Sequence, residues 1–322
     1  MLAMRLTEFA GPDGLRLEEV GEPAAAGRVL VELDAAGVSF PDLLQSQGLY
    51  QVKRELPCVL GMEAAGVVRE APAGSGFTPG RRVVVIAMDG AWQQVVAVDP
   101  AQVLPLPEHV PATTAAGLPV NYLTGHFALR RRAKVEPGET VLVHGAAGGV
   151  GVAALNLCRA WGLRAIGVVS DERKAKVAAA EGADHVVLVE GWLEAVREFT
   201  GGRGVDVVLD PVGGDRFTDS LRSLAPEGRV VVLGFTGGGI PTVKVNRLLL
   251  NNTSVLGAGW GEVLRQEPDY LRRQWNQLYP FLDDGRLRVT EPQVRPLAEA
   301  AGALRALADR SAAGKMVLSL RD

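Results

Sequence analysis

The sequence predicts an α/β protein in which a β-rich domain is joined to a domain with a doubly wound parallel sheet. Two observations support this fold class. Short apolar strands alternate with Gly and Pro turns over about the first 120 residues. From about residue 121 onward, strands and helices alternate regularly, which is typical of a parallel sheet covered by helices on both faces.

Composition and charge exclude several classes of function. The net charge of −3 argues against a nucleic-acid partner, and a hydrophobic content of 47% is ample for large cores. No apolar run in the sequence approaches the roughly 18 residues that a membrane-spanning helix needs, so we expect no membrane partner. The N-terminus lacks a signal-peptide core, and two cysteines, Cys58 and Cys158, are too few for a disulfide framework. We therefore expect a cytoplasmic protein.

The strands of the first domain are predicted from short apolar segments between turn clusters. These segments cover residues 29–33, 65–68, 82–86 and 94–98. Two helices and a last strand at residues 315–320 follow the second domain, and this tail is predicted to return to the first domain. The second domain is then an insertion. The predicted boundaries are residues 1–120 with 261–322 for the first domain and 121–260 for the second.

Strands of the second domain are predicted from runs of β-branched and aliphatic residues without polar alternation. They cover residues 141–144, 165–169, 185–189, 205–209, 229–233 and 253–257. The last of these would be an edge strand, and an apolar edge strand tends to pair with another chain.

The stretch from Thr140 to Gly151 predicts a cradle for the pyrophosphate of a dinucleotide. A buried strand, a tight glycine turn and the start of an apolar helix follow one another without a break. Missing Cβ atoms let the backbone come close to the ligand, and free N–H groups at the helix start attract phosphate oxygens. In a G-x-G-x-x-G alignment, Ala146 takes the first place, and Gly148 and Gly151 take the second and third. The candidate cofactor-binding residues of this loop are Gly145, Ala146, Ala147, Gly148, Gly149, Val150 and Gly151.

Several segments in the same order resemble the medium-chain dehydrogenase/reductase superfamily and, within it, the zinc-independent NADPH:quinone oxidoreductase group. They are residues 35–42 (AAGVSFPD), 48–50 (GLY), 57–66 (PCVLGMEAAG), 144–151 (HGAAGGVG), 204–214 (GVDVVLDPVGG) and 314–318 (GKMVL). The resemblance covers essentially the whole chain. It implies a GroES-like catalytic domain wrapped around a Rossmann domain, with the active site in the cleft between them.

The resemblance also predicts that this chain holds no metal. The zinc-bearing branch of the superfamily binds its catalytic zinc with Cys, His or acidic ligands from three places. The corresponding positions here look like Ser39, Met62 and Val120, and no Cys, Asp or Glu occurs from Pro111 to Gly125. Zinc needs about four N, O or S ligands in a tetrahedral array, so this site cannot be built.

The residues after the second strand of the parallel sheet favour NADPH over NADH. An NAD enzyme places an Asp or Glu there to bind the ribose 2′-hydroxyl, whereas this chain has Val169. A hydroxyl followed by cations suits a 2′-phosphate. By resemblance, Ser170 and Lys174 are the phosphate pair and Arg173 is an additional candidate. Asp171 is expected to face solvent or to cap a helix. The alternative is that the cations form only a solvated helix face.

The resemblance places Ser39, Asp42 and Tyr50 in the cleft beside the cofactor as the candidate catalytic residues. Without a metal, the hydride acceptor must already be activated, as in a quinone, an enone, an enal or an unsaturated thioester. Tyr50 could donate a proton or form an aromatic wall of the pocket. Asp42 could be a base or, with better reason, a hydrogen-bonded structural anchor.

Three further residues complete the predicted cofactor site. By resemblance, Thr124 contacts the nicotinamide side, and Gly234 and Phe235 meet the carboxamide with backbone groups at the end of the fifth strand. Apolar residues around the predicted cleft suggest a small apolar electrophilic substrate. They are Phe40, Leu44, Phe235 and Trp260.

The sequence therefore predicts an NADPH-dependent oxidoreductase that transfers a hydride to an activated acceptor, with a quinone as the first hypothesis. An enoyl-thioester or alkenal double-bond reductase is the main alternative, and a non-enzymatic NADPH-binding protein is a third.

In the resembling family the last strand of the parallel sheet commonly pairs with its twin across a two-fold axis. We accordingly predict a homodimer through the edge strand near Thr253–Gly257.

Overall fold

The computed structural model describes residues 1–87 and 90–321, which fall into two compact units. The first unit contains Met1–Asn121, Pro268–Gly285 and the chain from Val289 onward. The second contains Tyr122–Glu267 and Arg286–Arg288. The predicted domain boundaries, residues 1–120 with 261–322 and residues 121–260, stay a prediction. Asp322, the last residue of the predicted first domain, lies outside the described residues.

The elements of the described chain are numbered in chain order. The strands are β1 (Leu2–Leu6), β2 (Leu15–Glu19), β3 (Val29–Val38), β4 (Cys58–Val59), β5 (Glu63–Glu70), β6 (Arg82–Ile86), β7 (Val95–Val98), β8 (Val103–Pro105), β9 (Thr140–His144), β10 (Arg164–Val169), β11 (His185–Leu188), β12 (Val205–Asp210), β13 (Leu224–Val232), β14 (Ser254–Gly257), β15 (Gln293–Pro296) and β16 (Met316–Ser319).

The α-helices are α1 (Phe40–Ser46), α2 (Ala112–Ala115), α3 (Pro119–His126), α4 (Gly149–Ala160), α5 (Glu172–Ala180), α6 (Trp192–Phe199), α7 (Phe217–Arg222), α8 (Asn246–Asn251), α9 (Trp260–Gln266), α10 (Tyr270–Asp283) and α11 (Ala300–Ala308). A π-helical segment, Phe127–Ala133, continues α3. None of the described helices is long and apolar enough to cross a membrane.

The first unit is built on a large, mostly antiparallel sheet in the order β15-β16-β3-β5-β6-β8, with β7 also paired to β3. A smaller sheet, β2-β1-β4, lies in the same unit. The predicted tail strand is β16, which pairs antiparallel to β3 with Val317 opposite Gly37. One pair in this sheet is parallel, because β15 runs in the same direction as β16. The two strands are parallel because α11 connects the end of β15 to the start of β16, so that the chain enters the sheet again in the same direction.

The core of the first unit forms between the large sheet and α11. Strands β3, β5 and β6 contribute fully buried aliphatic residues, and Leu304 of α11 packs among them. Trp92 is also fully buried, and its Nε1 donates to the carbonyl oxygen of Gly37 over 3.0 Å. A side chain at Gly61 would overlap the indole of Trp92, so only glycine fits at this position before β5.

The second unit is a parallel sheet in the order β11-β10-β9-β12-β13-β14, as the doubly wound fold predicts. The central strands β9 and β12 are buried along their whole length, which explains why they lack polar alternation in the sequence. β13 begins at Leu224, earlier than the predicted residue 229, and its pairing with β12 shifts register near Val205.

Strand order places the candidate site. β9 pairs with β10 on one side and with β12 on the other. The chain therefore builds the sheet from β9 toward one edge with β10 and β11, and then toward the opposite edge with β12, β13 and β14. Ligands of such sheets bind outside the carboxyl ends of the strands at this switch point. The loops after β9, β10, β12 and β13 all leave the sheet at that edge, because these strands are parallel.

Candidate functional site

The glycine loop between β9 and α4 is a close-packed turn at the switch point. β9 ends at His144, α4 begins at Gly149, and Gly145 adopts a φ of +60°. A side chain at Gly151 would overlap the carbonyl oxygen of Gly145. Only glycine at position 151 therefore lets the first turn of α4 pack against the loop. At Gly148 an added Cβ would meet that oxygen at 3.3 Å, which is tight rather than prohibitive.

The start of α4 presents backbone donors at this loop. Gly148 is the N-cap, with an extended backbone at φ −86° and ψ 172°, and no side chain of the described residues caps the helix there. The first N–H groups of a helix lack intrahelical acceptors and lie at the positive end of its dipole. Gly148 is exposed and Gly149 and Val150 are half-buried. The N–H of Gly148 is bound to the Gly145 carbonyl oxygen at 2.9 Å, so it is the first turn of α4 that offers N–H groups to phosphate oxygens, and a pyrophosphate fits this cradle.

Ser170, Asp171 and Lys174 lie together after β10, the strand beside β9. Lys174 Nζ donates to Ser170 Oγ over 3.0 Å, and Ser170 Oγ donates to Asp171 Oδ2 over 2.9 Å. Asp171 caps α5, because its Oδ1 accepts the backbone N–H of Lys174 at 2.9 Å. These hydrogen bonds lower the pKa of Asp171. Arg173 is exposed on the same helix turn.

Asp210, which is not among the residues predicted for the site, fixes a second loop at this edge. It is the last residue of β12, and its Oδ1 accepts the N–H groups of Val212 and Gly213, each at 2.8 Å. Burial raises the pKa of Asp210, and the two backbone donors partly oppose that shift. The segment GVDVVLDPVGG contained the signal, an Asp directly before a turn with two glycines.

Gly234 and Phe235 follow β13 and pack along the loop that Asp210 holds. The N–H of Thr236 donates to the carbonyl oxygen of Pro211 over 3.1 Å. A Cβ at Gly213 would lie 3.0 Å from Phe235 Cδ1, so the two loops are in close contact. The Phe235 side chain remains 40% exposed. The structure thus brings these predicted residues to the same sheet edge as the glycine loop.

Thr124 is half-buried on α3. The next residue, Gly125, faces α4, since a Cβ there would lie 3.0 Å from Leu157 Cδ1. α3 therefore packs closely against α4. The predicted contact of Thr124 with a nicotinamide stays a prediction.

Ser39 and Asp42, two of the predicted catalytic residues, form a helix cap in the first unit. β3 ends at Val38, Ser39 is the N-cap of α1, and the Ser39 N–H donates to Asp42 Oδ2 over 2.7 Å. Asp42 is fully buried and Ser39 is nearly so. This is the geometry of a structural anchor, one of the two roles that the sequence leaves open for Asp42.

Tyr50, the third predicted catalytic residue, lies in the loop after α1. It lines a shallow depression that is open to solvent, whose other lining residues include Phe9, Gln45, Lys53, Arg54 and Cys58. Ser39 and Asp42 do not line this pocket. The predicted catalytic residues therefore separate into a buried pair and a half-buried tyrosine.

A buried ion pair that was not predicted from the sequence joins Ser39 to the C-terminal part of the chain. Lys315 Nζ donates to Glu63 Oε1 at 2.5 Å, to Ser39 Oγ at 2.9 Å and to Val38 O at 3.0 Å. Ser39 Oγ in turn donates to Glu63 Oε1 at 2.9 Å, and the N–H of Val120 donates to Glu63 Oε2 at 2.7 Å. The Glu63 side chain is 0% exposed and that of Lys315 is 11% exposed.

The positions that match the zinc-ligand places of the zinc-bearing branch do not fit a zinc ion. Ser39 Oγ is hydrogen-bonded to the Lys315 ammonium, and a metal beside that group would face a second positive charge. Met62 and Val120 are buried and offer only a thioether and a hydrocarbon side chain. Within residues 1–87 and 90–321, no group of three or more His, Cys, Asp and Glu side chains could hold a metal.

Burial raises the pKa of Asp42 to about 7. The backbone N–H groups of Ser39 and Gly61 and the Lys315 ammonium lower this pKa, whereas the nearby Glu63 carboxylate raises it. Asp42 Oδ1 has no hydrogen-bond partner in the described part of the chain. A protonated Asp42 keeps its bond to Ser39 and avoids a second uncompensated charge beside Glu63.

We expect Asp42→Asn to remove a pH-dependent part of the folding free energy. The folded-state pKa of about 7 lies above the ordinary value of 3.8, so the folded chain holds a proton that the unfolded chain releases in between. The free energy of unfolding of the wild type relative to the variant should therefore fall as pH rises from about 4 to about 7. The slope should reach at most about 1.4 kcal/mol per pH unit.

Urea unfolding of both proteins across this pH range measures the effect. Asp309→Asn, at an exposed aspartate after α11, is the matched control and should follow the wild type. A difference between wild type and Asp42→Asn that does not change with pH would contradict the expectation.

Comparisons with known proteins agree with both halves of this architecture. Residues 25–108 match the family described as "Alcohol dehydrogenase GroES-like domain", and residues 149–283 match "Zinc-binding dehydrogenase". These matches confirm the predicted fold class, a GroES-like domain with a Rossmann-type parallel sheet.

Individual relatives are similar over nearly the full chain. The chain is 39% identical to "Quinone oxidoreductase-like protein 2" of Bos taurus, over 95% of this chain and 89% of that protein. The quinone oxidoreductase of Thermus thermophilus, solved also with NADPH, is 36% identical with a TM-score of 0.85, covering 99% of this chain and 100% of that one. The CurK enoyl reductase is 26% identical with a TM-score of 0.88, covering 99% and 98%. The chain therefore belongs to the medium-chain dehydrogenase/reductase superfamily and, within it, to the NADPH:quinone oxidoreductase group.

Proposed function

We propose that this protein is an NADPH-dependent oxidoreductase that transfers a hydride to an activated acceptor, and that the acceptor is a quinone. One observation carries the cofactor choice: Lys174 Nζ lies 3.0 Å from Ser170 Oγ at the carboxyl end of the strand beside the glycine loop. An ammonium and a hydroxyl together suit a 2′-phosphate. Similarity to a quinone oxidoreductase solved with NADPH supports the same choice.

Bound NADPH would supply the hydride, and the residues of this chain bind and orient it. The amides of the glycine loop and the start of α4 are proposed to hold the pyrophosphate. Ser170, Arg173 and Lys174 are proposed to bind the 2′-phosphate, and Thr124, Gly234 and Phe235 the nicotinamide end. The exposure of Gly148, the half-buried positions of Gly149 and Val150 and the close contact at Gly151 fit such a group.

A quinone suits the predicted catalytic residues, because it is already electron-poor and takes its protons from water. Ser39 offers a single hydroxyl, and the carboxyl group of Asp42 caps α1. Asp42 is proposed to hold Ser39 in place at the start of α1, and the Ser39 hydroxyl is proposed to face the acceptor. Tyr50, beside apolar pocket residues such as Phe9, is proposed as an aromatic wall.

An enoyl thioester is the second candidate acceptor, and one observation favours it. Lys53 and Arg54 line the same pocket as Tyr50, so two cations stand where a phosphate of a thioester carrier could bind. Similarity to the CurK enoyl reductase supports this alternative. For such a substrate Tyr50 would be a proton donor to the enolate.

Oxidation of NADPH by a panel of acceptors separates the two candidates. We expect 1,4-benzoquinone and 9,10-phenanthrenequinone to be reduced faster than crotonyl-CoA and 2-alkenals, as followed by nicotinamide absorbance. Tyr50→Phe should then change kcat for quinones by less than about threefold, because no enzyme-bound acid is needed.

Preference for crotonyl-CoA, with a loss of about 100-fold in Tyr50→Phe, would instead support the double-bond reductase. NADPH binding without oxidation by any member of the panel would reject both enzymatic proposals.

We expect Lys174→Ala to lower kcat/KM for NADPH by about 10- to 100-fold, because a charge-assisted hydrogen bond to the 2′-phosphate is lost. The value for NADH should stay nearly constant. The cap of α5 is kept, since Asp171 accepts the backbone N–H of residue 174 rather than its side chain.

Lys176→Ala, at an exposed lysine of the same helix, is the matched control and should leave the preference intact. Equal kcat/KM values for NADPH and NADH in the wild type would contradict the proposed cofactor.

We also propose a homodimer through β14 and the segment before it. β14 is an edge of the parallel sheet in the described chain, since it pairs only with β13. Val245, Leu249 and Leu250 in and beside α8 are 75%, 77% and 77% exposed. Exposed apolar side chains next to an open strand edge are typical of a chain–chain interface.

The double substitution Leu249→Lys with Leu250→Lys should convert the dimer to a monomer, because two charges would be buried at the proposed interface. Light scattering at micromolar concentration measures the mass. Leu17→Lys, at a leucine that is 42% exposed on β2, is the control and should leave the dimer intact. A wild-type protein with monomeric mass would contradict the proposal.

A further inference from the structure

The ammonium of Lys315 is fully used within the first unit. A lysine ammonium has three N–H donors, and the three acceptors around Lys315 are the Glu63 carboxylate, the Ser39 hydroxyl and the Val38 carbonyl. Lys315 therefore has no proton left to give directly to a substrate. Any effect that it has on a substrate must therefore act through one of these partners or through its positive charge.

Ser39 is the partner through which such an effect can pass. Its Oγ accepts from Lys315 and donates to Glu63 Oε1. If the Ser39 hydroxyl turns to another acceptor, Glu63 Oε1 still has Lys315 and Glu63 Oε2 still has the N–H of Val120. The hydroxyl can thus be redirected without leaving a buried carboxylate oxygen unpaired, and the adjacent ammonium makes it a stronger donor.

Two glycines, Gly37 and Gly117, leave space for the Glu63 and Lys315 side chains. A Cβ at Gly37 would lie 2.5 Å from Glu63 Oε1, and a Cβ at Gly117 would lie 2.7 Å from Lys315 Cγ. Two glycines therefore let both charged side chains pass through the packed interior. The Lys315 side chain keeps 11% exposure, so the cluster is not sealed from solvent.

The charges around the ammonium are nearly balanced. Glu63 from β5 is its direct counter-ion, and Asp42 from α1 also interacts with it electrostatically. When Asp42 is protonated, the cluster carries one positive and one negative charge. A new negative charge beside Ser39 would then be attracted by the ammonium without opposition from a second carboxylate.

We propose that Lys315 is a positioning residue that turns the Ser39 hydroxyl into a hydrogen-bond donor for an oxyanion on the bound acceptor. This inference rests on the proposed function, since it takes Ser39 to lie at the acceptor. Such a donor stabilises charge that forms only during the reaction.

Atoms and electrons balance in this step. Hydride addition breaks a π bond of the quinone or enone, and the electron pair moves to the conjugated carbonyl oxygen. The dinucleotide that gave the hydride is oxidised. Ser39 donates its hydrogen bond to the resulting oxyanion, and a proton from water then neutralises that oxygen. Ser39 and Lys315 keep their protons throughout.

The test uses 4-nitrophenol, whose phenolate form is an aromatic oxyanion with a distinct absorption spectrum. Spectral titration across pH gives the ratio of phenolate to phenol bound to the protein. Two variants differ only in Lys315: Glu63→Gln alone, and Glu63→Gln combined with Lys315→Met. The double variant leaves no buried unpaired charge at this pair, so it avoids the loss of folding expected for Lys315→Met alone. Thermal unfolding checks that both are folded.

We expect the Glu63→Gln protein to favour the phenolate at least about tenfold more than the double variant does. Ser39→Ala should lose the preference even with Lys315 in place. Equal preference in the single and the double variant would overturn the inference, and so would a wild type that binds no phenolate. A Lys315-dependent preference without any turnover of quinones or enones would keep the inference and reject the proposed activity.

Discussion

The buried carboxylate of Glu63 is the interaction on which the first unit depends. A charge with no solvent exposure must be paired and hydrogen-bonded, or it costs several kcal/mol. Glu63 meets this need with the Lys315 ammonium, the Ser39 hydroxyl and the N–H of Val120. Its partners come from the end of β3, the start of α3 and the approach to β16. One side chain thereby ties together segments that are far apart in the sequence.

In the second unit the corresponding constraint is the common direction of its strands. The loops that follow parallel strands all lie at the same edge of the sheet. The glycine loop, the Ser170–Lys174 turn and the loop held by Asp210 therefore lie near one another because of the strand direction alone. Asp210 adds precision by binding two backbone N–H groups of the loop after β12. The hydrogen bonds of its buried carboxylate fix the shape of the loop, in the same way as those of Asp42 fix the start of α1.

Ser39 connects local and long-range structure in the first unit. As the N-cap of α1 it is bound to Asp42, three residues away, and as a hydroxyl it is bound to Glu63 and Lys315. The pKa of Asp42 is raised mainly because its carboxyl group is buried, and the nearby Glu63 carboxylate adds to that shift. Ser39 can both cap α1 and bind this ion pair because Glu63 and Lys315 also bind each other, so neither charge depends on the Ser39 hydroxyl alone.

The sequence by itself determined the features that depend on short spacings. The parallel direction of the strands follows from alternating strands and helices, and the glycine loop, the Asp171 cap and the Ser170–Lys174 pair each lie within a few residues of chain. Tertiary structure alone decided the rest. Glu63 and Lys315 are 252 residues apart and carry no local signal, and the parallel pairing of β15 with β16 depends on where α11 returns the chain. The same holds for the burial of Asp42 and for the separation of Tyr50 from Ser39, because burial and contact are set by packing against distant segments.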